Sequence, residues 1–87
     1  MFEIEGELDF TNAEDVGRRL VQFCEQVDGD NVEVDCSRVT YMDSYAMRML
    51  VRVQRDTGKQ LVLRALSPNC RQALEIASLE RILQVRD

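Results

Sequence analysis

Segments with the two-residue period of a strand alternate along this chain with segments that have the 3.6-residue period of a helix. Four segments of the first kind are separated by three of the second kind, in the order β-α-β-α-β-α-β. Strands that alternate with amphipathic helices predict an α/β fold, with a mainly parallel mixed sheet of about four strands and right-handed helical crossovers. In such sheets we expect functional groups beyond the carboxyl ends of the strands.

The first predicted strand and the first predicted helix each have one apolar face. Within residues Phe2–Leu8, every second residue is a glutamate, and the residues between them are apolar or glycine. This alternation is typical of a half-buried strand near a sheet edge. Thr11 and Glu14 have the spacing of a capping box, which predicts a helix with Thr11 as its N-cap. Asp28-Gly29 ends this helix. Its predicted core face contains Ala13, Val16, Leu20, Phe23, Cys24 and Val27.

The second strand and the second helix meet at the dipeptide Asp43-Ser44. Residues 32–36 alternate as a strand, and the helix is predicted from Ser44 to Thr57, with Gly58 as its stop. The first turn of a helix has free backbone N–H groups and the positive end of the helix dipole, so a hydroxyl there can carry a phosphate. Ser44 is therefore a candidate switch. Because serine and aspartate are preferred capping residues, the alternative is that this pair only caps the helix.

The third strand is predicted at residues 61–66, a nearly continuous apolar run that belongs at the centre of the sheet. Ser67-Pro68 then predicts a helix start, with serine as the cap and proline in the first turn. The buried side of this helix is predicted to contain Cys70, Ala73, Leu74 and Ala77. Ile82, Leu83 and Val85 indicate a short last strand.

Length and charge exclude several classes of function. The 87 residues, numbered 1–87, predict a single domain with one modest core. A net charge of −5 disfavours direct binding to nucleic acid or to anionic membranes. Neither a basic start leading into an apolar segment nor an apolar run of membrane-spanning length is present. We therefore expect a cytoplasmic protein without membrane insertion.

The residue types disfavour catalysis and metal binding. Histidine is absent, which removes the common nucleophile arrangements and the usual zinc ligand sets. Asp43 and Ser44 lack a general base, because Lys59 is the only lysine and lies beyond the helix. Cys24, Cys36 and Cys70 are odd in number and in register with apolar neighbours, which predicts buried thiols. We expect no enzyme activity, no metal and no cofactor.

The second helix has a candidate docking face for a partner protein. Its core face is predicted from Met47, Leu50, Val51 and Gln54. Helical spacing then places Tyr45, Met49 and Val53 on the far side, with Arg48, Arg52 and Arg55 between the two. Exposed tyrosine and methionine beside arginine are typical of an interface. The alternative is that the arginines are only solvated and the apolar residues meet another element.

Three stretches of the sequence resemble the STAS domain of bacterial anti-sigma factor antagonists. They are residues 6–16 with G-E-L-D, residues 32–50 with V-D-x-S-x-V-x-x-M-D-S, and residues 65–83 with S-P and L-x-x-I. The resemblance covers nearly the whole chain, with the motifs in the family's order. It implies a single STAS-like domain.

The resemblance also implies a switch in partner choice. Unphosphorylated members of this family bind an anti-sigma factor that is itself a serine kinase, which frees a sigma factor for transcription. Phosphorylation of the serine after the motif aspartate ends that binding, and a phosphatase restores it. By position, the phosphorylated residue is Ser44, beside Asp43, and Asp9 is expected near the same surface. The expected partner-binding residues are Asp9, Asp43, Ser44, Tyr45, Arg48, Met49 and Arg52.

The sequence departs from the family pattern in two places. Tyr45 and Ala46 follow the motif serine, where the family usually has a second serine or threonine and then glycine. These residues favour the alternative of a STAS scaffold subunit without phosphorylation control, in a signalling complex or in a lipid or anion transport assembly. The chain also begins at what resembles the family's second strand. This implies an uncovered edge strand and predicts a homodimer.

Overall fold

Strands and helices alternate along the whole chain, in the predicted order. The structure is a computed structural model, and it describes residues 1–87. Its elements are β1 (Phe2–Leu8), α1 (Ala13–Glu25), β2 (Asn31–Met42), α2 (Ser44–Thr57), β3 (Gln60–Arg64), α3 (Pro68–Ile76) and β4 (Gln84–Arg86). None of the helices combines the length and the apolar composition that a membrane span requires.

The four strands form one sheet in the order β1-β2-β3-β4, and every neighbouring pair is parallel. The predicted parallel sheet with β1 at an edge is therefore confirmed. Each crossover moves one position in the same direction along the sheet. Because such crossovers are right-handed, this order places all three helices on the same face.

The core lies between this face of the sheet and the helices. Twenty-one buried residues form one cluster. Leu8, Leu20, Leu50 and Leu63 have at most 1% of their surface exposed, and they come from β1, α1, α2 and β3. Burial of each such side chain stabilises the fold by about 1.5–3 kcal/mol. Truncation of Leu50 to alanine would cost about 2–5 kcal/mol, because α2 is the middle helix of the layer.

The three cysteines lie in this core as free thiols, as predicted. Burial raises the pKa of the Cys24 thiol above its ordinary value, and it raises the pKa of Cys36 to about 12. Both thiols therefore stay protonated at neutral pH, and they pack as small apolar side chains.

The opposite face of the sheet has no helix over it and is strongly charged. Glu3, Glu5 and Glu7 of β1 are exposed on it, as predicted. Arg64 of β3 reaches across to Glu33 of β2 at 3.0 Å. Val62 is 4% exposed on this side, although it lies outside the main core cluster. It is paired with Glu33 and Gln84, and these longer side chains shield it from water.

Strand β2 is longer than predicted, because two irregularities hide its alternation. Its pairing with β1 shifts between Glu3 and Glu5 and again between Gly6 and Glu7. Each shift inserts an extra exposed residue into β2, which returns Val39 and Met42 to the core side. A strict two-residue period therefore ends at Cys36, while the strand continues to Met42.

Other predicted details of the fold are wrong. Helix α1 ends at Glu25 instead of at Asp28-Gly29, because the N–H groups of Gln26 and Val27 bond to carbonyls three residues earlier. The N-cap of α1 is Asn12 instead of Thr11, because the Thr11 hydroxyl donates to the Asp9 carboxylate. Strand β3 ends at Arg64 instead of residue 66, because the chain turns through a positive φ of 60° at Ala65. Ala77 was expected on the buried side of α3, but it is the exposed C-cap.

Candidate functional site

The β1–β2 pair extends beyond the rest of the sheet and forms a corner at its carboxyl end. β2 pairs with β3 only as far as Asp35, whereas it pairs with β1 as far as Met42. Leu8 lies opposite Met42, and the next backbone N–H, that of Asp43, donates to the Leu8 carbonyl at 3.1 Å. The start of α2 is therefore fixed directly to the end of β1.

The Asp43 carboxylate connects the two loops of this corner. Its Oδ1 accepts the backbone N–H of Ala46 at 2.8 Å, so Asp43 is the N-cap of α2. Its Oδ2 accepts the backbone N–H of Phe10 at 3.0 Å. One side chain thus caps the helix and holds the loop after β1 in place.

Ser44 is the first residue of α2, and its side chain is exposed. Its hydroxyl has no hydrogen-bond partner in the protein, because Asp43 has taken the capping position. No acidic residue lies in the first turn of the helix. The hydroxyl therefore stands at the positive end of the helix dipole without a structural role.

Asp9 lies in the loop that Asp43 holds, but its carboxylate points back into its own loop. It accepts the backbone N–H and the hydroxyl of Thr11. These bonds, the hydroxyl foremost, lower the pKa of Asp9 below its usual value. Asn12 closes the loop, since its side chain accepts from Asp9 N–H and donates to the Glu7 carbonyl. Asp9 thus shapes the corner and makes no hydrogen bond to Ser44.

The predicted docking face of α2 is only partly exposed. Met49 and Val53 were expected on the outside, but they are 6% and 4% exposed. The reason is that α1 packs against this side of α2 at Gly17, where an added Cβ would lie 3.0 Å from Met49 Cγ. A single helix wheel cannot show that a second helix covers its far side. Tyr45, Arg48 and Arg52 remain exposed.

Comparison with known protein families identifies the fold. A family model described as "Mlab, STAS domain" matches residues 1–84. The chain belongs to the STAS family. The resemblance of its motifs to a STAS domain is therefore confirmed.

Solved structures share the fold of this STAS domain. A crystal structure of TM1081 from Thermotoga maritima, a proposed anti-sigma factor antagonist, matches with a TM-score of 0.81 and 20% identity, over 95% of this chain and 74% of that chain. An NMR structure of TM1081 matches with a TM-score of 0.78 and 18% identity, over 98% and 70%. The anti-sigma factor antagonist SpoIIAA in its unphosphorylated form matches with a TM-score of 0.70 and 19% identity, over 95% and 75%.

Two exposed aromatic residues of the STAS domain lie beside this corner and were not predicted as site residues. Phe10 is 70% exposed and is the residue whose N–H binds Asp43. Tyr41 is 54% exposed and lies two residues before Asp43. Exposed aromatic residues are enriched at protein interfaces. Phe10 could have been found from the sequence, because an apolar residue interrupts the polar turn at residues 9–12.

The other side of the corner is formed by Tyr45. Its hydroxyl donates to Glu14 of α1 at 3.2 Å, and the side chain is 40% exposed. Tyr45 thus joins the first turns of α1 and α2 immediately after Ser44. The corner presents the free hydroxyl of Ser44 and several exposed aromatic side chains, while the Asp43 carboxylate is occupied by two backbone hydrogen bonds. Such a surface is suited to contact with another protein.

Proposed function

We propose that this STAS domain is an anti-sigma factor antagonist whose binding to an anti-sigma factor is ended by phosphorylation of Ser44. The observation that supports this most directly is the division of roles at the corner. Asp43 makes both structural hydrogen bonds, and the Ser44 hydroxyl is exposed and makes none. A hydroxyl without a structural role is available to a kinase, and its modification leaves the fold intact.

The physical basis of the switch is a change in charge at a surface that a partner covers. A phosphoryl group adds about −1.5 to −2 charge at neutral pH. The helix N-terminus tolerates this charge, but a protein docked over Ser44 would have to desolvate it. A loss of about 1.4 kcal/mol weakens binding tenfold, so a few kcal/mol redirect the partner. No rearrangement of the sheet is needed.

The partners in this proposal are an anti-sigma factor that is also a serine kinase, and a phosphatase that resets the switch. The STAS domain itself acts by binding in the cytoplasm, without enzymatic chemistry. A likeness in fold to SpoIIAA, which has been solved in its unphosphorylated form, supports this role.

The test is incubation of the protein with ATP, magnesium and the host's candidate anti-sigma kinases, followed by intact mass and peptide mapping. We expect one phosphoryl group, located on Ser44 and absent from Ser44→Ala. The matched control is Ser37→Ala, which removes another exposed serine of the same chain. The modified protein should lose binding to the kinase. Modification elsewhere, or unchanged binding after modification, would refute the proposal.

A second candidate function is a STAS scaffold subunit without phosphorylation control. Tyr45 favours it, because this side chain is tied to Glu14 and places bulk directly beside Ser44. Affinity capture from the host separates the two functions. Recovery of the ATPase of a membrane transport assembly, with Ser44→Asp leaving its binding unchanged, would support the scaffold.

A further inference from the structure

A groove of about 490 Å³ runs between α1 and α2 on the outer surface of the helical layer. Val21 of α1 and Met49 and Val53 of α2 provide its apolar part. Gly17 lies in the wall of the groove, and because it has no side chain the two helices approach closely at Met49. It is bounded at one end by the hydrogen bond between Tyr45 and Glu14, which places it beside Ser44.

The charges around this groove are not balanced within the protein. Arg48 and Arg52 line it one helical turn apart, are exposed, and take part in no ion pair or hydrogen bond. Arg18, on the α1 side, pairs with Asp15 at 3.5 Å. Two acids also line the groove: Asp56 pairs with Arg55 at 3.3 Å, and Glu14 accepts a hydrogen bond from the Tyr45 hydroxyl but keeps its charge. Two free guanidinium groups thus border an apolar groove on a chain of net charge −5.

We propose that this groove binds an acidic peptide segment of a partner protein. An apolar side chain of the segment packs between Val21 and Met49, and its carboxylates pair with Arg48 and Arg52. Charge complementarity selects this occupant, since arginine binds carboxylates in a paired geometry and an acidic segment is otherwise repelled by this protein. The inference rests on the proposed function for the identity of the partner as a protein, and it adds the chemistry of the segment.

The position of Ser44 couples the groove to the proposed switch. Ser44 and Arg48 are four residues apart on α2, which places their side chains on the same side of the helix. A phosphate on Ser44 therefore draws the Arg48 guanidinium toward itself and away from the segment. Phosphorylation acts on the groove by removing one of its two free cations.

The test uses two synthetic peptides of equal length with the same leucine spacing, one with glutamate and the other with lysine at the remaining positions. Each is titrated into the ¹⁵N-labelled full chain without any anti-sigma factor. We expect the glutamate peptide to shift amide signals of Val21, Met49 and Val53, and the lysine peptide to leave them unchanged. Equal effects of both peptides, or no shift at these residues, would overturn the proposal.

Charge reversal then identifies the residues that bind the peptide. Arg52→Glu and Arg48→Glu should each weaken binding of the glutamate peptide at least about tenfold. The matched control is Arg81→Glu, an exposed arginine outside the groove and outside every ion pair. An equal loss of peptide affinity in the control would mean that only the overall charge of the protein attracts the peptide, and it would overturn the proposed site. If the amide signals of the groove residues shift with protein concentration before peptide is added, the occupant of the groove is instead a second copy of this chain.

The outcomes separate this inference from the proposed function. The peptide titration contains no kinase and no phosphate, so it can succeed where no anti-sigma factor is captured. Conversely, Ser44 could be phosphorylated while Arg48→Glu and Arg52→Glu bind the peptide as the unchanged protein does. That result would support the proposed switch and refute peptide binding in the groove.

Discussion

The backbone N–H of Phe10 donates to the Asp43 carboxylate at 3.0 Å, across 33 residues of sequence. Asp43 also caps α2, so its side chain fixes the end of β1 relative to the start of the helix that carries Ser44. The candidate phosphorylation site therefore stands on a rigid support although its own side chain is free. Asp43 thus has the structural role and Ser44 the proposed switching role, and each residue can be changed separately.

Replacement of Asp43 by alanine should destabilise the fold by about 1–2 kcal/mol, because the cap and the Phe10 bond are both lost. The measurement is urea unfolding together with amide hydrogen exchange at Phe10. Ser67→Ala is the matched control, since Ser67 caps α3 through the Cys70 N–H at 3.2 Å. Both variants should lose stability, but only Asp43→Ala should speed exchange at Phe10. Equal exchange rates in the two variants would contradict the hydrogen bond between Phe10 and Asp43.

Replacement of Ser44 by glutamate should change the free energy of unfolding by no more than about 0.5 kcal/mol. The hydroxyl has no partner to lose, and the helix dipole offsets the repulsion from Asp43. Thermal unfolding of Ser44→Glu and of Ser37→Glu, an exposed position away from a helix start, provides the comparison. A loss of several kcal/mol in Ser44→Glu alone would mean that the charge is not tolerated in the folded state.

Replacement of Gly17 by valine should destabilise the protein by about 1–3 kcal/mol, because the new side chain overlaps Met49 of α2. The ideal Cβ position is already 3.0 Å from Met49 Cγ. In a double-mutant cycle, Met49→Ala should recover at least about 0.5 kcal/mol of this cost. Gly29→Val is the control, since an added Cβ there meets no atom within 4 Å. Additive effects of the Gly17 and Met49 changes would show that the helices are not in close contact there.

Stability should fall as the pH rises from about 9 to about 12, in part because of Cys36. Burial raises the pKa of this thiol from 9.0 to about 12 in the folded protein. Over that interval the unfolded chain loses the Cys36 proton while the folded chain keeps it. Stability therefore decreases with pH, by on the order of 1 kcal/mol per pH unit. Urea unfolding across this range should give a shallower decrease for Cys36→Ala, and an equal slope in both proteins would refute the assignment.

The local sequence signals predicted those parts of the fold that local interactions determine. The limits of α2 match, because Gly58 adopts a positive φ of 71° and ends the helix. Ser67 caps α3 as its position before proline predicts. The length of β2 could not be predicted, since its inserted residues break the period on which the prediction rests. The burial of Met49 depends on the distance to α1, which no periodicity within α2 encodes.

The candidate site also has features that local sequence predicts and features that depend on tertiary contacts. The position of Ser44 at a strand-to-helix junction follows from the pattern of its neighbours. The two bonds of Asp43 do not, because one of them joins residues that only the parallel pairing of β1 and β2 brings together. The free state of the Ser44 hydroxyl is a consequence of those bonds. Sequence therefore located the residue, and tertiary structure was needed to separate its role from that of Asp43.

Because helices cover only one face of this sheet, unfolding of the domain exposes a single apolar layer to water. The heat capacity increment of unfolding grows with newly hydrated apolar area and is reduced by polar area. Scanning calorimetry should therefore give an increment below the usual range of about 12–15 cal/mol/K per residue. The resulting stability curve is shallow, so this domain should lose little of its stability on cooling toward the freezing point.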